Sequence, residues 1–293
     1  MKKIFTLLFL VIVLSFYGCS SNQQNYEKNK VYEIYSQDGS SLAQHKSEIV
    51  FESNSSEKNK LIKTKTIEVN GVKYEVSYKN TQDFYWYNGE IDHYEGTNEN
   101  GYPVQVGINT KNDLVVRYSC FEKQEVIASP TLEKSRDECL EIAKEYLSKY
   151  VSDVENYKLK SENCNERKNY VSNYTFSFYR YIGELKAYDL AIILITSHGD
   201  VFMHRFDCLG ELKNAKVPDQ ATLDELDIKV TEKLDEIYSS VKDTYAVEYG
   251  ERDVSLIRLS DGSYALEYYV DVEILENGDL GYSESTHLII YLD

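Results

Sequence analysis

Five histidines, five cysteines and forty-nine carboxylates are the side chains in this 293-residue chain that could do chemistry. The arrangement best suited to proton transfer or metal binding is His198-Gly199-Asp200 with His204. An imidazole near neutral pKa beside a carboxylate can carry a proton or orient a metal ligand. Turn chemistry accounts for the first three residues on its own, because Gly199 supplies the backbone freedom that a tight turn needs. His198 and His204 stand six apart, so a turn would have to bring them together. Glu248, Glu251 and Asp253 around Gly250 offer oxygens to calcium without the twelve-residue spacing of an EF-hand loop. No GxSxG, HExxH or GxxxxGK[ST] motif occurs. Paired carboxylates for glycoside hydrolysis carry no signal where 49 acids supply so many pairs. The sequence therefore assigns no catalytic residue, no metal ligand and no cofactor, and the expectation is a protein that is not an enzyme.

One cysteine has a different chemistry. Lys2 and Lys3 precede the apolar run Ile4–Leu14, and Gly18-Cys19-Ser20 follows. A basic start, a short apolar stretch and a small residue before the cut describe a secretory signal. The run is also shorter than the ~20 residues that a membrane-spanning helix needs. Gly18-Cys19 resembles the lipobox of bacterial lipoproteins, with Phe16 and Tyr17 where that family favours Leu and a small residue. The resemblance implies cleavage before Cys19 and lipidation of its sulfur. Residues 1–18 are then a signal peptide, and residues 19–46 the lipidated cysteine and a polar tether. The expected place is the cell envelope, at the outer face of the cytoplasmic membrane or its equivalent, with the lipid on Cys19 as the membrane contact. In such a compartment Cys120, Cys139, Cys164 and Cys208 could form two disulfides in three connectivities, a choice the sequence leaves open.

Two features offer binding rather than catalysis. Phe84-Tyr85-Trp86-Tyr87 holds the only tryptophan. On a strand Tyr85 and Tyr87 share one face and Trp86 the other, so either face could form a platform for a sugar ring or peptide. The alternative function that follows is a carbohydrate or solute receptor. The second feature is charge, −17 in all. Residues 131–218 nearly balance, with 14 acids and 13 bases, whereas residues 219–293 hold 19 acids and 5 bases. Nucleic acid is an improbable partner for such a chain, and a basic protein or peptide fits it better. Glu267, Asp271 and Glu273, the odd positions of an alternating strand, are the acids expected to face such a partner.

The elements that position these residues are legible in the periodicity. Three prolines against 27 tyrosines and 10 phenylalanines mark a β-rich globular chain. Residues 47–128 read as a meander punctuated by Asn70-Gly71, Asn88-Gly89 and Asn100-Gly101, pairs that tolerate the positive φ of hairpin turns. Ser135-Arg136-Asp137-Glu138 is a capping box, followed by the stripe Cys139, Ile142, Ala143, Tyr146, Leu147 and Tyr150. Strands follow at Tyr157–Lys160 and Tyr174–Tyr181. The nearly all-apolar Ala187–Ile195 is a central strand, leading through the turn at Gly199 into Val201–Phe206. A second capping box, Thr222 with Glu225, opens a helix striped by Leu223, Leu226, Val230, Leu234, Ile237 and Val241. The turn Asp261-Gly262 then leads into the alternating strand Tyr264–Ile274.

Helix followed by antiparallel strands, given twice, resembles the PepSY-like domain family through Ser135–Tyr150 with Ala187–Phe206 and through Thr222–Val241 with Asp261–Ile274. The resemblance implies an α+β protein in which antiparallel sheets each pack one helix, preceded by the β-rich N-terminal region. The modules are then 131–208 and the acidic 219–293, with Glu162–Asn173 as an insertion in the first. Such modules occur in peptidase propeptides and cell-envelope proteins and carry no catalytic residues. The expected function is a lipid-anchored protein that binds a protein or peptide partner, with restraint of an envelope protease as one form.

Overall fold

The computed structural model describes residues 26–34, 41–43, 45–46, 48, 55–56, 64–83, 90–120, 134–167, 170–259 and 262–293. The first strand is β1 (Val31–Ile34), and the meander comprises β2 (Ser55–Ser56), β3 (Thr64–Val69), β4 (Val72–Asp83), β5 (Glu90–Thr97), β6 (Pro103–Asn109) and β7 (Val115–Cys120). Helix α1 (Arg136–Ser148) leads into β8 (Tyr157–Arg167), β9 (Tyr170–Ile182), β10 (Leu185–Thr196) and β11 (Val201–Asp207). Helix α2 (Gln220–Ile237) and the short α3 (Ser239–Lys242) lead into β12 (Ala246–Arg258), β13 (Tyr264–Glu276) and β14 (Asp279–Tyr291). No helix of the described residues is long and apolar enough to cross a membrane.

Local sequence explains the turns and helix ends. Asn70 and Gly71 both adopt positive φ, 57° and 76°, which closes the β3–β4 hairpin with the backbone twist that two-residue turns favour. At the β5–β6 turn Asn98 does the work, its Oδ1 accepting from the backbone N–H of Asn100 and Tyr102. The box at the start of α1 is complete, with Ser135 and Glu138 each accepting the other's backbone N–H. The second helix starts earlier than expected. Asp219 is its N-cap and accepts from the N–H of Thr222, so Thr222 lies inside the first turn instead of capping it.

The expected pair of separate helix-packed antiparallel sheets is not what forms. The 14 strands of the described residues join one sheet, in the order β1-β14-β13-β12-β10-β11-β7-β6-β5-β4-β2, with β3 also on β4 and the β8–β9 hairpin branching from β10. The sheet is mixed, because β10 runs parallel to β12 through Lys186↔Ser255 and Ala187↔Leu256. The physical reason lies in β10. It pairs with β9 along one edge at Leu185–Lys186 and Leu190–Thr196, while the other edge is divided between β11 at Leu190–Ile195 and β12 at Lys186–Ala187. The central strand thereby becomes the seam between the two units, and β7 joins the meander to β11. Two smaller corrections follow from pairing. The supposed insertion Glu162–Asn173 continues the β8–β9 ladder as far as Arg167↔Tyr170. Residues 31–34, read as tether, form the buried edge strand β1 on β14.

Both long helices lie on the same side of the sheet. Ala187 joins the cluster under α2, and Ala191, Ile193 and Ile195 join the cluster under α1. These odd positions of β10 share one face by strand alternation. The opposite face carries only a smaller cluster around Ile257, Ala265, Ile289 and Tyr291, against which Tyr32 and Ile34 of β1 pack. Buried charge holds the seam on the helix side. Arg180 donates to Asp189 at 2.7 Å and to both oxygens of Asp153 at 2.6 and 2.9 Å. Asp189 also accepts from the Tyr157 hydroxyl at 2.6 Å and from the Gly210 N–H at 2.9 Å.

Candidate functional site

The β3–β4 hairpin tip, one face of α1 and the β10–β11 turn enclose a cleft of about 480 Å³. That volume falls within the range of small-ligand and peptide-side-chain pockets. Helical spacing explains its floor, since Ile142, Tyr146, Lys149 and Tyr150 recur at three and four residue steps and face the same way. The turn can approach α1 only because residue 199 is glycine. Its φ is +92°, and a Cβ there would stand 2.9 Å from Ile142 Cδ1.

Tyrosine hydroxyls set the polarity of this cleft. The Tyr74 and Tyr118 hydroxyls lie 3.0 Å apart, and those of Tyr146 and Tyr150 lie 3.1 Å apart. Behind them His204 is buried, with Nδ1 2.7 Å from the Tyr146 hydroxyl and Nε2 3.1 Å from the Val115 carbonyl. A carbonyl only accepts, so Nε2 carries the hydrogen and Nδ1 accepts from Tyr146. Burial holds the His204 pKa down to about 3 and pushes the Tyr118 and Tyr146 phenols up. His204 is therefore neutral and the phenols are protonated at physiological pH. The depth offers aromatic faces and paired hydroxyls, while Glu145, Lys149 and Asp200 supply charge at the exposed rim. Val72, 49% exposed at the hairpin tip, adds an apolar lip. Such walls suit an amphipathic segment with both apolar surface and hydrogen-bonding groups.

The structure separates the residues once grouped as an acid–base candidate. His198 and Asp200 belong to the turn, where Thr196 N donates to the Asp200 carbonyl and Asp200 N donates to Thr196 Oγ1. His204 lies inside, held between Tyr146 and the backbone of β7, so no triad forms. Among the acids expected to face a partner, Glu267 is a correction. It is 3% exposed and lies 2.6 Å from His287 Nε2, because the cluster around Ile289 and Tyr291 covers that end of the face. Asp271 and Glu273 are exposed, with Ser285 donating to Asp271 at 2.9 Å. Of the calcium candidates, Asp253 pairs with Lys186, and Glu248 stands directly across the ladder from Glu273. Cys19, Phe84, Tyr85, Trp86 and Tyr87 lie outside the described residues.

Sequence reasoning passed over the residues that shape this cleft. Tyr146 and Tyr150 counted only as members of an apolar stripe. A tyrosine in place of leucine on such a stripe brings a hydroxyl that needs a partner once buried, and two of them one turn apart were the available signal. Asp189 was equally visible as the one charged residue in an apolar central strand, a position that demands a buried counter-charge.

Neither a protein-family model nor a curated protein matches the chain. A solved structure, the Bacillus megaterium YpeB C-terminal domain, shows a distant similarity across 67% of this chain and 83% of that one, with 13% identity and a TM-score of 0.36.

Proposed function

We propose that this protein is a lipid-anchored, extracytoplasmic, non-enzymatic binding protein that holds a peptide segment of a protein partner in the tyrosine-walled cleft. The observation that carries the reading is the cleft itself. Four tyrosines from the meander and α1 converge there with their hydroxyls paired at 3.0 and 3.1 Å. Tyrosine offers large rigid contact area with little entropy to lose, which favours binding over chemistry. An envelope protease is the partner that the resemblance to propeptide-borne modules suggests. The test is selection from a random peptide display library on the full chain. Selected peptides are expected to lose about tenfold or more in affinity to a Tyr150→Ala variant, the scale of a truncated aromatic anchor. Failure to select any peptide, or equal binding by the variant, overturns the reading. The anchor has its own test, in which Cys19→Ala shifts the chain from the membrane fraction to the soluble one.

A second reading is favoured by one observation. Glu248 and Glu273 are opposed across β12 and β13, both exposed, with Asp271 on the same face. Like charges directly opposed on a sheet are unfavourable, and a cationic partner would relieve them. Docking there is expected to weaken steeply with salt, whereas binding in the cleft is not.

A further inference from the structure

The hydrogen bonds behind the tyrosine cleft run in one direction, and a backbone group sets it. The Val115 carbonyl of β7 only accepts. His204 Nε2, 3.1 Å away, therefore carries the imidazole hydrogen, which leaves Nδ1 as an acceptor. The Tyr146 hydroxyl stands 2.7 Å from Nδ1 and donates its single hydrogen there. With that hydrogen committed, the Tyr146 oxygen can only accept. It does so twice, from the Tyr150 hydroxyl at 3.1 Å and from the side-chain amide of Asn70 at the tip of the β3–β4 hairpin. Tyr150 thus gives its own hydrogen to Tyr146. Half-buried in the cleft wall, it ends the relay with an oxygen that offers lone pairs and no hydrogen.

Reversing the relay is unfavourable at its buried end. His204 is 1% exposed, and burial keeps its imidazole neutral, so a second hydrogen does not come from protonation. Turning the Tyr146 hydrogen outward would strand Nδ1 as an acceptor among the rings of Tyr118, Tyr146, Tyr150 and Phe206. Folded proteins avoid a buried polar atom in that condition. The other tautomer fails for the same reason, because it sets the Nε2 lone pair against those of the Val115 carbonyl.

We infer that His204, acting through Tyr146 and Tyr150, makes the cleft selective for a peptide side chain that ends in a hydrogen-bond donor, such as an ammonium, guanidinium or indole N–H group, over one that ends in a carboxylate. The inference rests on the reading of this cleft as a peptide site. Tyr150 is the residue that meets the ligand, and His204 and Tyr146 position its hydrogen. Aromatic faces on the same walls favour a cation over an anion, in the same sense as the relay. Charge at the rim is mixed, with Glu145 and Asp200 beside Lys149, so the choice falls to the hydroxyl.

The test compares three pools of capped peptides that carry lysine, norleucine or glutamate at one fixed position in otherwise random sequence. Binding to the full chain is measured at about 0.3 M salt, which screens the attraction of any cation to a chain of charge −17. The lysine pool is expected to bind about tenfold better than the norleucine pool, and the glutamate pool worst. Tyr150→Phe keeps the ring and removes only the oxygen. It should bring the lysine pool down to the norleucine level and leave the norleucine pool unchanged, with folding checked by circular dichroism. A general attraction of cations would survive that substitution. Nitrogen-15 NMR of His204 reads the relay without a ligand, and hydrogen on Nε2 with none on Nδ1 is expected at neutral pH. Hydrogen on Nδ1 overturns the proposal. So does a lysine pool that binds no better than the norleucine pool, or one that Tyr150→Phe does not weaken; either result leaves the peptide reading standing. Binding of no pool overturns that reading and this proposal together.

Discussion

At the scale of single residues, the buried histidine and the buried ion cluster make opposite demands on pH and composition. His204 is held at about 3 in the folded chain against 6.5 when exposed. Between those values the unfolded chain takes up a proton that the folded one refuses. The contribution of neutral His204 to stability is therefore complete above pH 6.5 and is lost as pH falls from there toward 3. His93, also lowered by burial and by Arg117, acts in the same direction. Asp207 and Asp189, raised by burial to about 7 and about 6, pull the other way over the same range, so the histidine is read as a difference: from pH 7 to 4.5 the urea midpoint of His204→Asn, which keeps an acceptor near Tyr146, is expected to fall less or rise more than that of the unaltered chain. An equal change in both chains would mean that His204 is hydrated. The cluster of Arg180, Asp189, Asp153 and Tyr157 behaves differently. Arg180→Ala leaves the buried Asp189 without its cation and is expected to cost about 3–5 kcal/mol in urea unfolding at pH 7. The double change of Arg180 to Met and Asp189 to Leu removes both charges, and should cost less than Arg180→Ala.

At the scale of elements, the start of α2 separates two side chains that the sequence places three residues apart. Asp219 accepts the Thr222 N–H at 2.9 Å and sits at the positive end of the helix dipole. Asp219→Ala is expected to lower stability by about 1 kcal/mol and Thr222→Ala by no more than a few tenths, read from chemical denaturation. The reverse order would restore Thr222 as the cap. The capping-box pattern is degenerate here, since Asp219-Gln220-Ala221-Thr222 and Thr222-Leu223-Asp224-Glu225 both offer a good cap residue. The helix starts from the earlier of the two, ahead of its first buried residue, Leu226. At α1 no such rival exists, and the box Ser135–Glu138 is used as written.

At the scale of the whole molecule, a few residue pairs decide whether this is several units or one. Three Cα pairs join β7 to β11, and two join β10 to β12. Lys186 adds an ion pair with Asp253 across the second junction. Ala187, fully buried there, packs with Leu256 and with Leu226, Val230 and Leu234 of α2 in one cluster. Cooperation through this shared core predicts one unfolding transition, with the near-ultraviolet circular dichroism of the buried tyrosines and the far-ultraviolet signal changing together. Ala187→Glu places an unpaired charge in the seam and is expected to lower the midpoint of both signals. Two separated transitions in the unaltered chain would show the units folding independently.

Local order is legible in short stretches of the chain. Asn70-Gly71 specified its hairpin through positive φ, the Ser135 box started α1, and the alternation of Tyr264 to Ile274 put Leu266, Tyr268, Val270 and Val272 beneath α2. These features depend on neighbours a few residues away, and local propensity carries that information. Which strand edges meet depends instead on long-range packing. Backbone edges look alike in any sequence, so nothing in Ala187 or Leu256 announces that β10 and β12 will run parallel and fuse two units into one sheet. The same holds for the cleft. Tyr74, Tyr118, Tyr146 and Tyr150 come together, and His204 meets Val115, because residues up to 89 positions apart become neighbours across a ladder or beneath a helix.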